Sequence, residues 1–145
     1  MSDAANTKPP TYFWIIGAAA LVWNIIGLVL YKSQVTMPPD VLATFPQAQQ
    51  DFFNSTPAWV TGFYGLAVTA GVLGSVLFLL RKAWAYPVFI LSLVGVVVMD
   101  AYSYGVQNGA QIFDPVFIGV HVFVLLVAVA LVWYSRKTKA DGFLS

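Results

Sequence analysis

The stretch Val96-Val97-Val98-Met99-Asp100-Ala101-Tyr102 sets a carboxylate near the end of an apolar run that begins at Trp84. Followed to Tyr104, at about 1.5 Å of helix per residue, that run crosses the roughly 30 Å hydrocarbon layer of a bilayer. A charge at such depth costs about 2.5 to 3.5 kcal/mol on insertion scales, so it is normally turned inward, paired or tied to function. Three further runs of similar length, 12–31, 59–80 and 115–134, flank the first. Together they predict an all-α membrane protein. The expected architecture is a four-transmembrane-helix antiparallel bundle, one membrane domain over 1–145, with a short interfacial helical segment in its first outer loop.

Composition agrees with the apolar runs. The chain is 59% hydrophobic and 9% charged with a mean hydropathy of +0.78, where a soluble domain carries about 25% charged residues. Cysteine is absent, which excludes disulfides, thiolate metal sites and cysteine nucleophiles. A net charge of +1 gives no footing for a nucleic-acid partner. The partner implied is the lipid bilayer. Continuous apolar runs, without alternation, exclude a barrel.

Prolines mark the helix starts independently. Pro10, Pro57, Pro87 and Pro115 each stand at or near the beginning of one apolar run, and Asp114 precedes Pro115 as a capping side chain. Residues 1–11, with Asp3, Lys8 and Pro9-Pro10, read as a disordered lead-in. The first run is a span and not a cleaved leader, because a single lysine precedes it and it exceeds the usual 7 to 15 residue apolar core. Residues 32–57 form the one long connection. There Pro38-Pro39-Asp40 opens a short helix and Phe52-Phe53 follows Gln49, Gln50 and Asp51, giving either a cap resting on the membrane surface or a lid over a pocket. Arg81-Lys82 leaves so short a turn that the second and third spans form an antiparallel hairpin. Residues 135–145 read as a mobile tail.

Charge sets the expected orientation. With both termini on one side, Lys8, Arg81, Lys82, Arg136, Lys137 and Lys139 share that side and only Lys32 lies opposite. That bias places both termini in the cytoplasm and the long loop outside. Aromatics such as Tyr12, Trp14, Trp59, Trp84 and Trp133 fall at span ends, as interfacial belts do.

Polar residues inside the spans are the candidate functional residues. Counted from the outer ends of the apolar runs, Asn24, Tyr64, Asp100 and His121 all fall about 6 to 11 Å deep, which predicts a single polar layer near the outer face. Asp100 shares its helix side with Ser103, Tyr104 and Gln107, so polarity extends from the layer outward like the lining of an outward-opening vestibule. Asp100 and His121 form the expected pair, serving either as a proton relay or ligand site, or as a structural hydrogen bond between the third and fourth spans; a lipid-facing Asp100 is the third alternative. On the second span Ala67, Gly71 and Ser75 recur every fourth residue and offer a face for close helix packing, within the chain or against another copy. One histidine and Asp100 are too few ligands for a metal centre. Gly71-Val72-Leu73-Gly74 lacks the lysine and hydroxyl of a phosphate loop. No cofactor is implied, and an enzyme is the lesser reading.

The motifs Trp23-Asn24-x-x-Gly27, Pro57-Ala58-Trp59, Gly71-Val72-Leu73-Gly74 and Arg81-Lys82-x-Trp84-Ala85-x-Pro87 resemble, in order and spacing over about residues 14–134, small bacterial inner-membrane proteins often labelled sugar transporters. The resemblance implies four helices in a Gram-negative inner membrane. Trp23 and Asn24 belong to the resembled pattern; Asp100 and His121 do not. Two functions follow for testing: a small carrier or ligand-binding membrane protein, working as a homo-oligomer, or an accessory subunit packed against a larger membrane complex.

Overall fold

A computed structural model describes residues 7–145, and among the described residues it contains seven helices and no strand. Asp3 and the rest of the expected lead-in through residue 6 lie outside them. The helices are α1 (Thr11–Val35), α2 (Pro39–Leu42), α3 (Gln47–Ser55), α4 (Ala58–Leu79), α5 (Ala85–Gly105), α6 (Gly109–Ile112) and α7 (Pro115–Ala140). Four of these, α1, α4, α5 and α7, are long and apolar enough to cross a membrane. The chain is an all-α, multi-pass membrane protein.

Local chemistry explains the helix limits. Pro10 and Pro57 are the residues before α1 and α4, and Pro115 opens α7, positions where a missing N–H leaves no bond unmade. Asp114 caps α7 by accepting a hydrogen bond from the Phe117 N–H at 2.9 Å. At the far end of α4, Arg81 takes a left-handed conformation with φ of 59°, and the Lys82 N–H returns to the Leu77 carbonyl. That closure reverses the chain within a few residues.

The four long helices do not pack symmetrically. α4 lies between α1 and α5, α5 carries α7, and α1 and α7 share no comparable interface. The α4–α5 seam is the tightest. A Cβ added to Gly95 would sit 2.6 Å from the Phe63 carbonyl oxygen and 2.9 Å from the Ala67 nitrogen, so the two backbones nearly touch there. Beside it the Ser92 hydroxyl donates to the Ala67 carbonyl at 2.6 Å. On the other side of α4, Gly71 and Ser75 receive Asn24 from α1. In lipid, where apolar burial gives helices no reason to associate, such small-residue contacts and interhelical hydrogen bonds hold them together.

At one end, Phe13 stacks on Phe78 with ring centroids 4.3 Å apart, and Ala85, Phe89 and Leu144 complete a buried cluster. The segment 135–145, expected as a mobile tail, is helical to Ala140 and then folds back through Gly142, with φ of 81°. Its apolar Phe143 and Leu144 fill the hollow at the α4–α5 turn. Arg81 fastens them: its Nε donates to the Phe143 carbonyl at 2.9 Å, its other guanidinium arm to the Thr7 carbonyl at 2.8 Å, and its own carbonyl accepts from the Ser145 N–H at 2.8 Å. This cationic end gathers Lys8, Arg81, Lys82, Arg136, Lys137 and Lys139, while Lys32 lies in the last turn of α1, at the opposite, loop end.

Gly95→Leu therefore forces the α4 and α5 backbones apart and destabilises the protein by about 3 kcal/mol or more. Gly119→Ala, where an added Cβ meets nothing within 4 Å, is neutral or gains up to about 1 kcal/mol of helix propensity. Unfolding in mixed micelles followed by circular dichroism separates the two.

Candidate functional site

A cavity of about 450 Å³ runs between the long helices and is lined by α1, α3, α4, α5 and α7 together. Its size falls in the range of small-molecule sites. Towards the cationic end, Phe89 and Leu131 line its floor. At the loop end α3 covers it with Phe52 and Phe53, and Thr56 just past the helix joins them. The outward-opening vestibule expected from the polar side of α5 is thus lidded. Gln107, just past α5, binds the lid: its amide nitrogen donates to the Phe52 carbonyl at 3.0 Å and to the Thr56 hydroxyl at 3.1 Å. An aromatic train runs on from there, Phe52 edge-on to Phe113 at 4.9 Å, Phe113 stacked on Phe117 at 4.2 Å, and Phe117 over His121 at 4.7 Å.

Asp100 and His121 meet, with Oδ1 and Nδ1 3.0 Å apart across the α5–α7 seam. Both side chains are largely shielded, 15% and 24% exposed. Where the Asp100 carboxylate accepts from Nδ1–H, Nε2 of a neutral His121 is left as an acceptor. His121 lines the cavity, and Asp100 stands behind it. Tyr104 lies alongside, its ring centroid 5.7 Å from that of His121, and its buried hydroxyl has no hydrogen-bond partner in the protein.

Asn24 and Tyr64 also line the cavity but do not join this pair. Tyr64 packs edge-on against Tyr31 at 5.0 Å. Asn24 donates to the Ala20 carbonyl at 2.8 Å and to the Ser75 hydroxyl at 3.3 Å, and it fills the space over Gly71. Because Gly74 on α4 in turn meets Phe89 on α5, Asn24 stands near the level of Phe89. That is eleven residues along α5 from Asp100, or about 16 Å. Asn24 thus lies outside the single polar layer expected from the sequence. The reason lies in α1, which continues past Tyr31 to Val35; Tyr31 is level with Tyr64, not at the helix end, and Asn24 is correspondingly deeper.

Ala67, Gly71 and Ser75 all face neighbours in their own chain: Ala67 against Gly95, Gly71 and Ser75 against Asn24. Ser75 also returns its hydroxyl proton to the Gly71 carbonyl at 2.8 Å. Sequence reasoning missed Ser92 as the polar stitch of the α4–α5 seam. A serine in the middle of the apolar run of α5, on the hairpin partner of a small-residue face, is the signal that marks it. Among the described residues, no three of His, Cys, Asp and Glu converge as a metal-ligand set.

Asp100→Leu strands the His121 Nδ1–H and His121→Phe strands the carboxylate, so each single change costs more than half of the double change. A double-mutant cycle is expected to give a coupling of about 1 to 2 kcal/mol, read from unfolding midpoints in micelles; additive effects would mean that the two side chains are not bonded in the membrane.

In comparisons with known proteins, no family model, no curated protein and no solved structure matches the chain.

Proposed function

We propose that this protein is a ligand-binding protein of a bacterial inner membrane, both termini in the cytoplasm, that holds a small molecule between its four spans. The observation that carries this is the cavity of about 450 Å³, to which every spanning helix contributes. Its lining is mostly apolar, and several of its polar side chains are spent within the protein: Asn24 on Ala20 and Ser75, Ser92 on Ala67, Thr56 on Phe52. A sugar needs a partner for each hydroxyl, because an unmatched one loses its hydration without return. The lining suits a mainly apolar ligand instead. Trp23, Asn24 and Gly27, the motif behind the resemblance to small inner-membrane proteins, all contribute to it.

The accessory-subunit reading leaned on the small-residue face of α4. That face is occupied by α1 and α5 of the same chain, so a second copy or a larger complex would have to dock elsewhere.

Protein extracted with native lipid and examined by native mass spectrometry is expected to carry a small-molecule adduct. Ala128→Trp, which fills the cavity from α7, is expected to lower its occupancy at least tenfold while the protein remains folded. A stoichiometric protein partner with no small molecule would support the accessory reading. Orientation has its own check, made simple by the absence of cysteine: in intact cells an impermeant maleimide should label Ser33→Cys and spare Lys139→Cys.

A further inference from the structure

We infer that the ligand is an uncharged, mainly hydrocarbon molecule with a single hydroxyl, that it arrives sideways from the lipid between α1 and α7, and that its hydroxyl is received by His121. This rests on the proposed ligand-binding reading and narrows it.

The route follows from which seams are closed. α1–α4, α4–α5 and α5–α7 are packed, and α1–α7 is not. Ile26 and Leu30 on α1 and Val120 on α7 line the cavity and yet are 51%, 58% and 52% exposed. Side chains that face both a cavity and the surroundings mark its mouth. In the bilayer those surroundings are acyl chains. Towards the cationic end the mouth stops where Trp23 meets Phe123, edge-on at 5.3 Å. At the loop end the lid of α3 is fastened to Gln107. The opening through the side is therefore the one that a lipid-soluble molecule can use, and its rim carries no charge.

The ligand's chemistry follows from the head of the site. No Lys, Arg, Asp or Glu lines the cavity, so a charged group would enter without a counter-ion, and Asp100 behind His121 further disfavours an anion. With Nδ1 committed to Asp100 at 3.0 Å, the imidazole offers Nε2 as an acceptor. A lone acceptor in a mostly apolar surround complements a neutral group that gives one hydrogen bond, such as an alcohol or phenol hydroxyl. An ether or ketone has no hydrogen to give it. A cavity of about 450 Å³ accommodates a chain of roughly 15 heavy atoms.

The test measures binding of farnesol and 1-dodecanol, and of their methyl ethers, to protein in nanodiscs. Both alcohols are expected to bind at least about tenfold tighter than the ethers. His121→Phe, which keeps the aromatic packing on Phe117, should bring alcohol and ether within twofold of each other. Ile26→Trp with Val120→Trp, which narrows the mouth, should slow association severalfold. Equal binding of alcohol and ether to the wild type would overturn the hydroxyl assignment and leave the cavity reading standing; unchanged association in the double tryptophan variant would overturn the lateral route. If neither alcohol binds while the native adduct is still lost in Ala128→Trp, the ligand class is wrong and the ligand-binding reading survives. If that adduct is absent as well, both fail.

Discussion

The close contact of α4 with both of its neighbours is the constraint from which the rest of the structure follows. A helix in lipid has no hydrophobic incentive to join another, so it does so where backbones can approach and polar groups can pair. Ala67 admits Gly95 of α5 on one side, and Gly71 and Ser75 admit Asn24 of α1 on the other. With α4 sheathed in this way, α7 packs on α5 and no similar small-residue surface draws α1 and α7 together. The bundle is consequently an arc and not a closed square. Its concave side is the cavity.

Much of that architecture was legible in the chain, because bilayer thickness and proline placement act through single segments. The four spans, the start of α7 at Asp114-Pro115 and the hairpin at Arg81-Lys82 each depend on a few consecutive residues. Depth was less legible. The polar end of α1, where Lys32, Ser33 and Gln34 continue the helix beyond its apolar run, misplaced Asn24 by about one turn, and the inter-helix register carried it further still. Nor could local pattern show that Phe143 and Leu144 return to the α4–α5 turn, since Arg81 reads as an ordinary interfacial cation until its guanidinium is found between two chain segments. The Asp100–His121 bond was legible because both residues are the lone ionisable groups of their apolar runs, and burial gives each a reason to find the other.

Splitting the polar residues between two levels changes what they can do. Gathered at one depth, Asn24, Tyr64, Asp100 and His121 would have made a wet constriction suited to a hydrophilic solute. Separated, they make two different things. Asn24 with Ser75 is a stitch between α1 and α4, its amide hydrogens already spent. Asp100 with His121 is a fixed dipole at one end of a mostly apolar chamber, with the imidazole as its working face.

The two ends of the chamber are closed by different means. At the cationic end Phe13, Phe78 and Phe89 pack with Leu144 in a cluster shielded from solvent, and Arg81 binds three backbone carbonyl and N–H groups across it. Opening that end would expose aromatic surface and break several hydrogen bonds together. At the loop end the closure is a nine-residue helix held by one glutamine side chain and a train of aromatic rings. Its bonds lie at a helix terminus near the surface, where water can replace each of them in turn. The same fold therefore makes one end a fixed wall and the other a cover that lifts at far lower cost, so any exchange other than through the α1–α7 gap belongs to the loop end.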